Sequence, residues 1–354
     1  MSFEDGSIDL QSDTVTRPTP AMREAMARAE VGDDVYGNDP TVNRLQAMAA
    51  ERTGHEASLF MASGTMANLV ALLAHGERGA EIIVGSQSHI YLWETGGMSA
   101  LGGLHARTVP NQPDGTLRLE ELEAAIRPDD IHCPRTRLIC LENTHSASGG
   151  VPLTAEYTRQ VAALAHARGL RLHIDGARLF NASVALGTDA RELASAADSV
   201  MFCLSKGLSA PVGSMLCGSR AFIEEARRYR KQVGGAMRQV GVLAAAGIVA
   251  LEAMVDRLAE DHALARALAE GLCTVPGVLL AEGKPATNMV YFSLASSVKL
   301  TDSAFLERLR DRGVLVLQEE PRRFRLVTHA WISRQDIPRA VDAIRDVLAR
   351  QEPV

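Results

Sequence analysis

The chain has 354 residues, 46% of them hydrophobic and 23% charged, enough for a large domain plus a smaller one of ordinary globular make-up. Its net charge of −6 lacks the basic field that nucleic acid or anionic lipid requires, so a small molecule is the expected partner. The N-terminus has no signal-peptide core, no run of about 18 apolar residues occurs, and five cysteines form no C-x-x-C pair. A cytoplasmic enzyme with buried free thiols and no metal site is expected.

In chain order, Ser63-Gly64-Thr65 opens a helical pattern over 66–75. Free amides and the positive dipole end of such a helix suit a phosphate, although small-residue turns before helices are common. An apolar strand over 82–85 is followed by His89, whose flat imidazole could stack on a ring and handle a proton, or could be a plain loop residue. After a helix over 119–126, the strand 138–142 ends in a polar cluster of Glu142, Asn143 and His145. A helix over 155–168 leads to the strand 172–175, which ends in Asp175. The strand 200–204 is followed by Lys206, and then come a strand over 214–217 and a helix over 220–231. Strands that are apolar throughout are buried on both faces, which implies a mainly parallel sheet flanked by helices, an α/β fold.

Residues 241–271 read as one long helix. Beyond it, strands over 288–294, 314–318 and 324–328 and helices over 305–312 and 336–350 predict a smaller α+β domain. The expected division is 1–240 for the large domain and 241–354 for the connecting helix and small domain.

Asp175 and Lys206 carry the sharpest chemical reading. Either one alone reads as a helix cap or an exposed strand-end residue. Together, at successive strand ends 31 residues apart, they match the needs of pyridoxal phosphate. A desolvated lysine attacks an aldehyde, and a carboxylate keeps a pyridine nitrogen protonated so that the ring accepts electrons. Arg178 and Arg325 are candidate carboxylate clamps, because a guanidinium fork matches a carboxylate. Arg238 lies in a glycine-rich segment.

These pieces, LQSDTVTRPTPAMREAM, VGDDVYGNDPTVNRLQ, ASGTMANLVALL, LENTH, IDGARLFNA, LSKGLSAPVGSMLCG, GGAMRQVGVLAAAGI and RLVTH, resemble the low-specificity L-threonine aldolases over nearly the whole chain. The resemblance implies a fold-type-I pyridoxal-phosphate enzyme and a homotetramer built from catalytic dimers. It matches Lys206 to the Schiff-base lysine, Asp175 to the pyridine partner, His89 to a histidine stacked on the ring, and Gly64 and Thr65 to the phosphate turn. It matches Ser12, Arg178 and Arg325 to the substrate-carboxylate site, with Arg178 also among the cofactor-binding residues, His145 to a second histidine near the β-hydroxyl, Arg238 to a cofactor-phosphate contact given by the neighbouring subunit, and Tyr36 to a tyrosine reaching in from the adjacent subunit. Trp93 stands where smaller aromatics are common, and the loop after LENTH is slightly longer than usual; both bear on the aldehyde pocket. The implied reaction is retro-aldol cleavage of threonine, allo-threonine and related β-hydroxy-α-amino acids, phenylserine among them, to glycine and an aldehyde. His89, His145 and a bound water all stand as the base. The rivals are a β-eliminating lyase or aminotransferase on the same fold, and a non-catalytic cofactor-binding protein.

Overall fold

A computed structural model describes residues 3, 6–281 and 284–350. The strands, numbered along the chain, are β1 (Ile8–Asp9), β2 (Ala57–Met61), β3 (Glu81–Gly85), β4 (His105–Val109), β5 (Thr136–Glu142), β6 (Arg171–Asp175), β7 (Ser199–Cys203) and β8 (Ser214–Gly218). They continue with β9 (Val278–Leu280), β10 (Met289–Leu294), β11 (Val314–Leu315), β12 (Leu317–Glu320) and β13 (Arg323–Val327).

The chain forms two compact units. One is Pro18–Val255; the other joins the stretch up to Arg17 to everything from Asp256 onward. The expected boundary at 240/241 assigned the helix Gly241–Val249 to the small domain, whereas this helix packs on helices Pro20–Ala27 and Pro40–Thr53 of the first unit.

The first unit is built on a seven-stranded sheet of order β2-β8-β7-β6-β5-β3-β4. Pairing is parallel from β4 through β3, β5 and β6 to β7, and β8 runs antiparallel to both β7 and β2. Every residue of β3, β7 and β8 is buried, as expected for strands covered on both faces. The chain leaves β3 toward β4 on one side and passes through β5, β6 and β7 on the other. The order therefore reverses between β3 and β5, and in such sheets ligands bind beyond the carboxyl ends at this switch point.

The sequence reading missed β2 and β4. β4 is an edge strand whose residues HARTV include only one that is buried, Val109, so it has no apolar run to detect. The long helix expected over 241–271 is broken. Helix Gly241–Val249 passes into a π-turn at Ala250–Met254, and a new helix, Leu258–Leu272, starts after it. Glu260 and Asp261 lie in the first turn of that helix, where the positive dipole end favours acids, and this was the available start signal.

The second unit carries the antiparallel sheet β12-β13-β10-β9 and the parallel pair β1-β11. Its core centres on Phe292, Phe305 and Phe324, with Phe305 edge-on to Phe324 at 4.9 Å between centroids. Three of the five cysteines, Cys140, Cys203 and Cys217, are buried; Cys133 is half-buried and Cys273 exposed, and all five are free thiols. No helix among the described residues is long and apolar enough to cross a membrane.

Candidate active site

The strand register lines up two polar strand ends. Glu142, the last residue of β5, stands opposite Asp175, the last of β6, and Asp175 stands opposite Met201 of β7. Lys206 follows three residues after β7 and lines a small cavity together with Arg178, Asn181 and Cys203.

Asp175 is 2% exposed. Its Oδ1 accepts from the Ala177 amide at 3.1 Å and its Oδ2 from Asn68 Nδ2 at 2.8 Å. The same Asn68 nitrogen donates to Glu94 Oε1 at 2.8 Å, and His89 Nδ1 lies 3.0 Å from that oxygen. His89, Glu94 and Asp175 offer ligand-type atoms within 4.8 Å of one another, but the Asn68 amide already supplies a proton to each carboxylate. The hydrogen bond to Glu94 raises the His89 pKa above the ordinary imidazole value, against the opposing effect of burial. Burial raises the Glu94 carboxyl, while the protons from His89 and Asn68 pull it back.

Glu142 is buried and joins the two histidine segments. Its Oε2 accepts from the His89 amide at 2.8 Å, and its Oε1 accepts from the Ser146 amide at 2.9 Å. His145, with no exposed surface, accepts from the Ser148 amide at Nδ1 (3.2 Å), and its Nε2 finds no hydrogen-bond partner among the described residues. A backbone N–H donates only, so a neutral His145 carries its proton on Nε2 and presents a donor there. His89 is the reverse: with Nδ1–H directed at the Glu94 carboxylate, its Nε2 is left with a lone pair. Gly115 closes over His145. Its φ of +78° and a would-be Cβ only 2.7 Å from His145 Cβ admit glycine alone.

Helix Gly64–His75 begins beside the β7 end. Ser63 caps it by accepting from the Met66 amide, which leaves the Gly64 and Thr65 amides without intrahelical acceptors. A Cβ on Gly64 would lie 3.0 Å from Cys203 Sγ and 3.1 Å from Met201 Cε, so this turn is held close against β7. A buried carboxylate, a strand-end lysine and a helix start pressed on the same strand fit a flat, phosphate-bearing cofactor.

The remaining expected residues fall elsewhere. Arg178 is buried and precedes helix Leu179–Leu186. Trp93 and Tyr36 are exposed, at 65% and 75%. Arg238 pairs with Asp33 at 3.1 Å, and its carbonyl accepts from the Asp34 amide, so the Tyr36 and Arg238 segments are tied together. Ser12 and Arg325 belong to the second unit. There Arg325 Nη1 lies 2.7 Å from Glu319, its Nη2 donates to the Gln11 carbonyl, and its buried Nε has no partner among the described residues; Ser12 accepts from the Thr14 amide. Sequence reasoning missed Asn68, Glu94 and His173. The available signal was a lone polar residue inside an apolar segment, as in MANLVALL and LHID.

A strand order that reverses between β3 and β5, with a lysine and a carboxylate at neighbouring strand ends, defines a fold-type-I, pyridoxal-phosphate-type α/β protein. The solved structures that share this fold include a threonine aldolase of Leishmania major (TM-score 0.81, 23% identity, 96% of this chain and 99% of that one). A serine palmitoyltransferase of Sphingomonas wittichii shares it too (TM-score 0.76, 18% identity, 96% and 87%). The beta-eliminating lyase family matches residues 9–295. A low-specificity L-threonine aldolase of Arabidopsis thaliana is 49% identical over 98% of both chains, and one of Escherichia coli K12 is 48% identical over 97% of this chain and all of its own. The chain belongs to the low-specificity L-threonine aldolase family, within the beta-eliminating lyases.

Proposed function

We propose that the protein is a pyridoxal-phosphate-dependent aldolase that cleaves L-threonine, L-allo-threonine and related β-hydroxy-α-amino acids to glycine and an aldehyde. The observation that carries this reading is the pairing of Asp175, fixed at the β6 end, with a histidine whose Nε2 lone pair faces away from a carboxylate partner, His89. When bound, the cofactor supplies an electron sink for the pair released by Cα–Cβ cleavage.

Lys206 would anchor the cofactor, Asp175 would hold its ring nitrogen protonated, and the Gly64 and Thr65 amides would receive its phosphate. Arg178 would hold the substrate carboxylate, and Arg325 and Ser12 are the carboxylate-binding groups proposed for the second unit. His89 is the base that removes the β-hydroxyl proton at Nε2, and Glu94 steadies the imidazolium that results. His145 acts as a donor through Nε2–H. Tyr36 and Arg238 are proposed to reach a neighbouring subunit's site in a homotetramer, supported by their exposure and by the Asp33–Arg238 tie. Trp93 would border the aldehyde end. A reducing, cytoplasmic setting agrees with five free cysteines.

Incubation with L-threonine tests the reaction. Equal yields of acetaldehyde and glycine are expected; 2-oxobutyrate and ammonia would instead indicate elimination and overturn the aldolase reading.

A further inference from the structure

Asn68 is 1% exposed and lies between two carboxylates. Its amide nitrogen has two protons, and both are used, one on Glu94 Oε1 and one on Asp175 Oδ2 at 2.8 Å each. Its oxygen lies 3.1 Å from His173 Nε2. An amide oxygen only accepts, so His173 holds a proton on Nε2. Burial pushes the His173 pKa down to about 4, so the ring is neutral and its Nδ1 accepts from Ser199 Oγ at 2.8 Å. The serine's single proton is thereby used. The 2.7 Å contact between Ser199 Oγ and His75 Nε2 must then be a donation from His75, itself neutral because burial lowers it to about 3. The two carboxylates therefore set which end of the Asn68 amide faces them, and the chain through His173, Ser199 and His75 then runs in one sense that matches it.

We propose that Asn68 is a positioning residue for the aldol site, oriented by His173, Ser199 and His75. It donates a proton to Asp175 and to Glu94, which lie side by side, so that one can serve the cofactor nitrogen and the other can orient His89. Without its two protons, adjacent buried carboxylates repel, and one takes up a proton. Glu94 is the one expected to do so, since burial and Asp175 both favour its neutral form. The charged groups facing His89 are Glu94, Asp175 and Lys206, and those facing Glu94 are His89 and Asp175. A neutral Glu94 leaves His89 with less support for its charge, so the His89 titration should move to lower pH.

This inference rests on the proposed role of Asp175, and its test does not depend on turnover. In Asn68→Leu, the His89 imidazole, followed by NMR in the cofactor-free protein, should titrate lower than in wild type. Pyridoxal phosphate affinity, measured by absorbance, should fall roughly tenfold or more, the usual effect of losing hydrogen bonds to charged groups. His173→Leu should move both readouts the same way, and His173→Gln, which retains a donor in place of Nε2–H, should restore most of the loss. An unchanged His89 titration and cofactor affinity in folded Asn68→Leu would overturn the proposal. If Asn68→Leu fails to fold, the His173 pair decides: recovery in the glutamine variant supports the proposal, and equal behaviour of the two variants sinks it. The threonine assay failing while these shifts appear would remove the aldolase reading and leave this one standing.

Discussion

At the scale of single residues, the two site histidines differ in what their Nδ1 atoms face. His89 Nδ1 meets a carboxylate and His145 Nδ1 meets a backbone N–H, so at Nε2 the first accepts and the second donates. A base at His89 makes activity fall as pH drops through the His89 pKa, which Glu94 holds above the ordinary value of 6.5. Glu94→Gln removes the largest raising influence and leaves burial to lower the pKa. The acid limb of the kcat/KM profile should therefore move to lower pH, and an unmoved limb would exclude His89 as the titrating base. Because His145 is assigned a donor's role, His145→Gln should keep more activity than His145→Ala, whereas His89→Gln should be no better than His89→Ala. Steady-state kinetics of the four variants separate the roles. Lys206→Ala should lose aldol cleavage altogether, and full turnover by that variant would remove the lysine from the mechanism. Lys206, Asp175, His89 and His145 stood out in the sequence as candidates because each lies at or just beyond the end of an apolar strand, where a polar residue is conspicuous. Asn68 did not, because one polar side chain inside a helix as apolar as GTMANLVALLAH carries no sign of what it meets; its partners, Glu94 and the β6 residues His173 and Asp175, come from distant parts of the chain.

At the scale of elements, a buried ion pair fixes the segment that carries Tyr36. Arg230, at the end of helix Arg220–Gln232, donates to Asp34 Oδ2 at 2.6 Å and to the Phe60 carbonyl of β2 at 2.9 Å, and both charged side chains are 1% exposed. Removing one partner of such a pair leaves an uncompensated buried charge and costs about 3–5 kcal/mol. Asp34→Ala should lower unfolding stability by about that amount, while Asp34→Ala combined with Arg230→Met should recover much of it. Denaturant unfolding of the three proteins measures this, and a loss in Asp34→Ala below about 1 kcal/mol would show that the pair is dispensable. The strands buried on both faces were legible from their apolar runs. The edge strand β4 was hidden by its polar face. The break after Gly241–Val249 was hidden because no proline or polar turn interrupts AAAGIVALEAM, and the change to π geometry leaves helical periodicity almost intact.

At the scale of the whole molecule, the exposed large apolar residues among those described, Val31, Tyr36, Tyr91, Leu92, Trp93, Leu101, Ile131 and Val242, lie in the unit Pro18–Val255, and Leu279 alone lies in the other unit. Side chains of this kind collected on one unit are what a subunit interface covers. Sedimentation of the purified protein should show a homotetramer, and a fully active monomer would contradict shared sites. The division into units was only partly readable, because the residues up to Arg17 join the C-terminal unit through pairing of β1 with β11, a contact over three hundred positions in sequence that no local pattern announces. The one-way run of protons from His75 to Asn68 has a further consequence for how the family can drift. A hydroxyl, two imidazoles and an amide that agree on direction cannot be exchanged one at a time, because a single reversal leaves two donors or two acceptors face to face. Positions 68, 75, 173 and 199 are thus expected to be inherited as a block: relatives should keep all four or replace them together, and a broad family alignment in which they vary independently would contradict that.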